Sequence, residues 1–181
     1  WPTQASGARG LPWTCSCGPE AASTADSTFL LRFRRRSSER VDSSMPHDPE
    51  RIAEVRSWFS KAGEDLRAGT FELTAEPPLT ADIVFHAQQA VEKAIKGFLS
   101  WHDRPFRKTH NLVELGEAAT GVDPALEPGL RRAAPLTEYA WRFRYPGDLV
   151  EPSVEEASEA LAIAREVFDS LLSLMPADVK P

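Results

Sequence analysis

From residue 49 onward, apolar side chains return every three or four positions rather than every two. Ile52, Val55, Phe59, Ala62, Leu66 and Phe71 predict a first helix over 49–73 with one apolar stripe. Asp48 is placed to cap it, Pro49 suits its first turn, and Glu50 complements the positive end of the helix dipole. EPPLT at 76–80 ends it, because proline cannot continue a helix. A second helix is predicted from residue 80 or 81 to 101. It is apolar over the widest arc, through Ile83, Val84, Ala87, Ala90, Val91, Ala94, Ile95, Phe98 and Leu99. Such a helix is either central in its domain or shared with a second subunit.

The polar, basic stretch HDRPFRKTHN at 102–111 reads as a loop. Thr109 or Asn111 can cap a third, shorter helix carrying Leu112, Val113 and Leu115, which TGVDP ends. A fourth segment is predicted over 129–145, with Pro135 either kinking it or marking its start, and YPGD then breaks the chain. The last helix is predicted over 153–174. Ser153 and Glu156 have capping-box spacing, and Val154, Ala157, Ala160, Leu161, Ala164, Val167, Phe168, Leu171 and Leu174 form its stripe. No stretch alternates strictly, and nothing reads strand–turn–strand. The expected fold class is all-α, an antiparallel up-and-down four- to five-helix bundle.

Residues 1–44 change this picture only at the margin. They are rich in Ser, Gly, Ala and Arg, without a sustained period, and are expected to form a disordered tail. FLLRFRRR at 29–36 is a short basic amphipathic patch, for which a nucleic-acid-binding arm is the sharper alternative. Met45 opens a domain-like sequence. The expectation is that the natural protein begins there, that the upstream stretch extends the gene, and that 45–181 is one domain. The tail carries six Arg against four acids, a net of +2, which leaves the domain near −8 in a chain of net charge −6. Binding of nucleic acid by net charge is thereby excluded, and only a local basic patch would serve. Cys15 and Cys17 are too closely spaced for a comfortable mutual disulfide, and too few for a zinc site. With no cysteine after residue 45 and no apolar run near ~20 residues, the expectation is a cytoplasmic protein with no membrane span.

FHAQQAVEKAIKGFL at 85–99, then KTHNLVEL, then a segment ending in RYP resembles the HEPN domain family (higher eukaryotes and prokaryotes nucleotide-binding). The upstream WFSKAGEDLRAG is similar to that family's first helix, and the resemblance spans about residues 50–175. It implies a four- to five-helix up-and-down bundle that commonly forms homodimers. It also implies one of two activities. Some members are metal-independent RNA endonucleases, often toxins, built around an Arg and a His four to six residues later. Others are the non-catalytic partner of a small nucleotidyltransferase encoded beside them, in prokaryotic toxin–antitoxin-like pairs, and help to bind nucleotide or substrate. Neither implies a metal or other cofactor, and either a nucleotide or an RNA stands open as ligand.

The chain departs from the nuclease pattern in its fourth segment. Arg142 and Arg144 are followed by YPGDLVEPS, with no histidine. The spacing does occur from Arg104 to His110, but in the loop after the second helix. Metal-free RNA cleavage needs a base, an acid and cations on the phosphate; histidine suits the first two and arginine the third. Were the chain a nuclease, His110 with Arg144 or Arg104 would be its catalytic set. Were it a binding module, Lys108, His110, Arg142, Arg144 and Tyr145 would hold a nucleotide or phosphate. A structural corner around Arg144 and a capping contact for His110 are the plainer readings. His86 is expected to be buried and hydrogen-bonded across helices, and Gln88 and Gln89 to bond across the bundle or a dimer seam. His47 and His102 are expected in solvent, and Trp141 in the core. Glu92 and Lys96 read as an exposed i,i+4 pair worth a few tenths of a kcal/mol. Lys93, Arg104, Arg107 and Lys108 would form a basic rim. The acids of GEDL and VEEASEA read as solvated helix faces, with no metal-ligand set.

Overall fold

In the computed structural model, residues 48–143 and 150–181 are described. The readings of residues 1–44, His47, Arg144 and Tyr145 lie outside them. Helix α1 spans Pro49–Glu72, α2 Thr80–Trp101, α3 Leu112–Thr120, α4 Glu127–Ala133 and α5 Val154–Ser173. Short 3-10 turns cover Pro124–Leu126, Ala134–Ala140 and Ala177–Val179. The fold is an all-α helical bundle, with no strand among the described residues.

The helix starts follow local chemistry. Asp48 Oδ1 accepts from Glu50 N at 3.0 Å, and Asn111 Oδ1 accepts from Val113 N at 2.9 Å. At α5 the capping box is complete: Ser153 Oγ accepts from Glu156 N at 3.2 Å while Glu156 Oε2 accepts from Ser153 N at 2.8 Å. Each such cap satisfies amides that the helix itself leaves unpaired, a contribution of about 1 kcal/mol.

α1 and α2 run antiparallel, as their cross-contacts show. Arg51 pairs with Asp103, the Phe59 ring lies against Gly97, and Asp65 meets both Lys93 and His86. Residue numbers rise along one helix as they fall along the other. α5 packs beside them through Phe168 on Phe59 and Arg165 on Thr70. α2 is the central helix. Ile83, Val84, Ala87, Ala90, Val91, Ala94 and Leu99 on it are wholly buried within one chain. Its wide apolar arc therefore reflects a central position in the bundle.

Two predicted elements are corrected. Phe71 is 76% exposed and leaves the α1 stripe, where Gly69 takes the inward position. The fourth segment is not one helix over 129–145. Asp123 caps a 3-10 turn, α4 starts at Glu127 with Pro128 in its first turn, and the chain tightens into 3-10 geometry over Ala134–Ala140. Pro135 has no N–H to give the carbonyl four residues back, so the α ladder stops there. Trp141 consequently sits after the last helical turn and is exposed, not in the core.

Candidate functional site

Three polar residues of α2 are spaced four apart. Gln88, Glu92 and Lys96 therefore stand one above the other on a single face. That face is buried: Gln88 has no solvent contact, and Glu92 and Lys96 almost none. The reading of Glu92 and Lys96 as an exposed pair is thus corrected, because the helix that carries them is central. Lys96 Nζ donates to Glu92 Oε1 at 2.7 Å and lies 5.9 Å from the Trp58 ring and 6.0 Å from the Phe106 ring. Gln88 Nε2 donates to Glu92 Oε2 at 2.9 Å and to the His110 carbonyl at 3.2 Å. Gln89 Nε2 donates to Gln88 Oε1 at 2.8 Å. Gln88 thus reaches from α2 to the 102–111 loop, while Gln89 bonds only its neighbour on the same helix.

His110 closes the network from outside. Its Nδ1 lies 3.0 Å from Glu92 Oε2 and 3.2 Å from Glu92 Oε1. Burial would push the Glu92 carboxyl up, but hydrogen bonds from Lys96, Gln88 and His110 outweigh it and hold the carboxyl below its usual value. An ionised carboxylate can only accept, so Nδ1 carries the proton that faces it. The other ring nitrogen, Nε2, is left to face away from the carboxylate. The His110 side chain is 59% exposed, against 5% for Glu92. One buried carboxylate thus orients one exposed imidazole.

Arg104, Arg107 and Lys108 belong to the same loop as His110 and are exposed. Lys93 does not join them: it faces α1, where its Nζ lies 2.5 Å from Asp65 Oδ2. Asp65, part of the GEDL read as solvated, is buried for the same reason. Leu112 N donates to Thr137 Oγ1 at 3.0 Å, which seats the segment leading to Arg142 on the start of α3. Arg142 itself pairs with Glu138 at 3.4 Å and lies 5.6 Å from the Phe143 ring. No group of three or more His, Cys, Asp or Glu among the described residues is arranged to hold a metal ion.

His86 occupies a separate, half-buried cluster between α1 and α2. Its Nδ1 is 3.1 Å from Asp65 Oδ1 and its Nε2 3.4 Å from Glu72 Oε1. The bond to Asp65 raises the imidazole above its usual value, against burial and with help from Glu72 and Asp82. Burial raises Glu72, whose Oε2 has no hydrogen-bond partner. The cross-helix bond expected for His86 is present. Two concave grooves lie elsewhere, one between α3 and α4 around Val113 and Leu130, another between α1 and α5 around Phe71 and Phe168.

With this arrangement in place, one comparison is decisive. A HEPN domain model matches residues 55–174. The chain belongs to the HEPN domain family. No curated protein and no solved structure gives a significant match. The HEPN match runs from within α1 to the C-terminal end of α5, so Glu92, Lys96 and His110 all lie inside it. Glu92 and Lys96 escaped the sequence reading as site residues. Their signal was there: three polar side chains at i, i+4 and i+8 within the apolar arc of a HEPN helix. Among the described residues no helix is long and apolar enough to cross a membrane.

Proposed function

We propose that this HEPN chain is a nucleotide-binding and interaction module, the non-catalytic partner of a small nucleotidyltransferase in a toxin–antitoxin-like pair. The nucleotide phosphate is received at the end of the bundle where the 102–111 loop meets α3. His110 and Lys108 are its first contacts, with Arg142, Arg144 and Tyr145 on the following segment. The observation that supports this most is the saturation of the buried network. Gln88, Glu92 and Lys96 are bonded to one another and to His110, so the network holds one exposed imidazole in place. A ribonuclease without metal needs a second proton-transfer group beside the first. No other histidine or carboxylate contacts His110 among the hydrogen bonds of the described residues.

The Glu92–His110 contact favours a second reading, a metal-independent RNA endonuclease in which His110 is the base and Arg104 or Arg144 the phosphate cation. One experiment separates the two. The full 181-residue protein is titrated with ATP by calorimetry and incubated with RNA in EDTA, beside His110→Ala. Saturable nucleotide binding lost in the variant, with no RNA cut, is expected. EDTA-resistant cleavage that disappears in His110→Ala would replace the first reading by the second. Co-purification of a nucleotidyltransferase with the tagged chain tests the pairing.

A further inference from the structure

The arrangement of His110 suits more than recognition. Nδ1 is committed to Glu92, and the ring is mostly in solvent. The carbonyl of His110 is also tied, by Gln88 Nε2 at 3.2 Å. Backbone and ring are thus both anchored to α2, and the free nitrogen is presented outward in one orientation. A carboxylate behind an imidazole makes the opposite nitrogen a better nucleophile, because charge that develops on the ring is neutralised at once. Arg104 and Arg107 lie in the same loop without a carboxylate partner among the described residues. Such cations draw an anionic reagent to the site.

We propose that His110 is a phosphoryl-acceptor residue, modified at Nε2 by donors that carry a phosphoryl group on a good leaving group. The Nε2 lone pair forms the bond to phosphorus as the bond from phosphorus to the leaving group breaks. The leaving group departs with that electron pair. Nδ1 keeps its proton, so the product is an N-phosphoryl imidazolium whose positive charge faces the Glu92 carboxylate. No oxidant, metal or external base is required. This step does not depend on nucleotide binding, so its failure and the failure of the binding reading are separate results.

The test uses the full chain and potassium phosphoramidate. At neutral pH its nitrogen is already protonated, so ammonia leaves directly. Labelling is located by peptide mapping, and the phosphorylated nitrogen is identified by phosphorus NMR. His110 is expected to label at least about tenfold faster in the folded protein than in the urea-unfolded chain. It is expected to carry phosphorus on Nε2 alone, in an acid-labile linkage. Glu92→Gln should slow labelling of His110 towards the unfolded rate without changing that at His102. Equal rates in folded and unfolded protein, or phosphorus on Nδ1, would overturn the proposal. If Glu92→Gln does not fold, the position of the phosphorus in the unaltered protein still decides.

Discussion

Replacing Glu92 by Gln removes a negative charge from a place where Lys96 Nζ lies 2.7 Å away and only 10% of the Lys96 side chain reaches solvent. On an exposed helix the same pair would contribute roughly 0.3 kcal/mol. Here the substitution strands an ammonium in the bundle, and breaking a buried pair in this way costs about 3–5 kcal/mol. Trp58 and Phe106 soften the loss, since a cation over an aromatic ring retains about 1 kcal/mol or more. The new amide adds to the cost, because its NH₂ is a donor among the donors of Lys96 and Gln88. A net loss of about 3 kcal/mol follows, a large part of the roughly 5–15 kcal/mol available to a domain. Urea unfolding followed by tryptophan fluorescence reads it as a midpoint lower by about 1–2 M at unchanged slope. The double variant Glu92→Leu/Lys96→Met removes both charges and is expected to recover most of the loss. A shift below about 0.5 kcal/mol for Glu92→Gln would refute the argument, since only a solvated pair behaves so. The pH dependence has a fixed sign as well. The folded carboxyl lies below its unfolded value of 4.5, so its contribution is present above pH 4.5 and is lost as pH falls through the folded value. The unaltered protein should therefore lose stability on acidification more steeply than Glu92→Gln.

The remaining predictions concern other parts of the bundle. His86 is raised above 6.5, chiefly by its bond to Asp65, so its contribution is complete below pH 6.5 and is lost as pH rises through the folded value. The urea midpoint should fall from pH 6.5 upward in the unaltered protein and stay flatter in His86→Asn. A Cβ at Gly97 would meet Trp58 Cβ at 3.0 Å and Phe59 Cε2 at 3.1 Å, so Gly97→Ala should lose about 1–2 kcal/mol despite its better helix propensity. At Gly116 the nearest atom is Leu130 Cβ at an ordinary 3.6 Å, and Gly116→Ala should gain about 0.5–1 kcal/mol; thermal unfolding compares the two. Ser153→Ala opens the α5 capping box and should cost about 1 kcal/mol by urea unfolding.

What could be read from the chain alone divides by distance along it. The caps at Asp48, Asn111 and Ser153 join groups two or three residues apart, and they stand where the pattern placed them. The inward stripes of α1, α2 and α5 are equally local, except that Val154 and Leu174, at the two ends of the predicted α5 stripe, are exposed. Phe71 fails because phase accumulates: five residues beyond Leu66 is roughly 140° round the helix from it. Pro135 announced a break but not its form, since both a kink and a 3-10 turn relieve the missing N–H. The site was least legible. Glu92 and Lys96 look like a surface pair until α2 is known to be central, and nothing in the 102–111 loop says that it returns His110 to Glu92.

That last contact also bears on assembly. An apolar α2 had two explanations, a central helix or a face given to a second subunit. The arc that carries Gln88, Glu92 and Lys96 is already closed, by Trp58 and Phe106 over Lys96 and by His110 over Glu92. Opening it to a second chain would break the buried Glu92–Lys96 ion pair. Such an opening costs several kcal/mol before any contact with a partner forms. A homodimer that keeps this network closed would use other faces of the bundle, and Glu92→Gln should then shift unfolding in a way that does not depend on protein concentration.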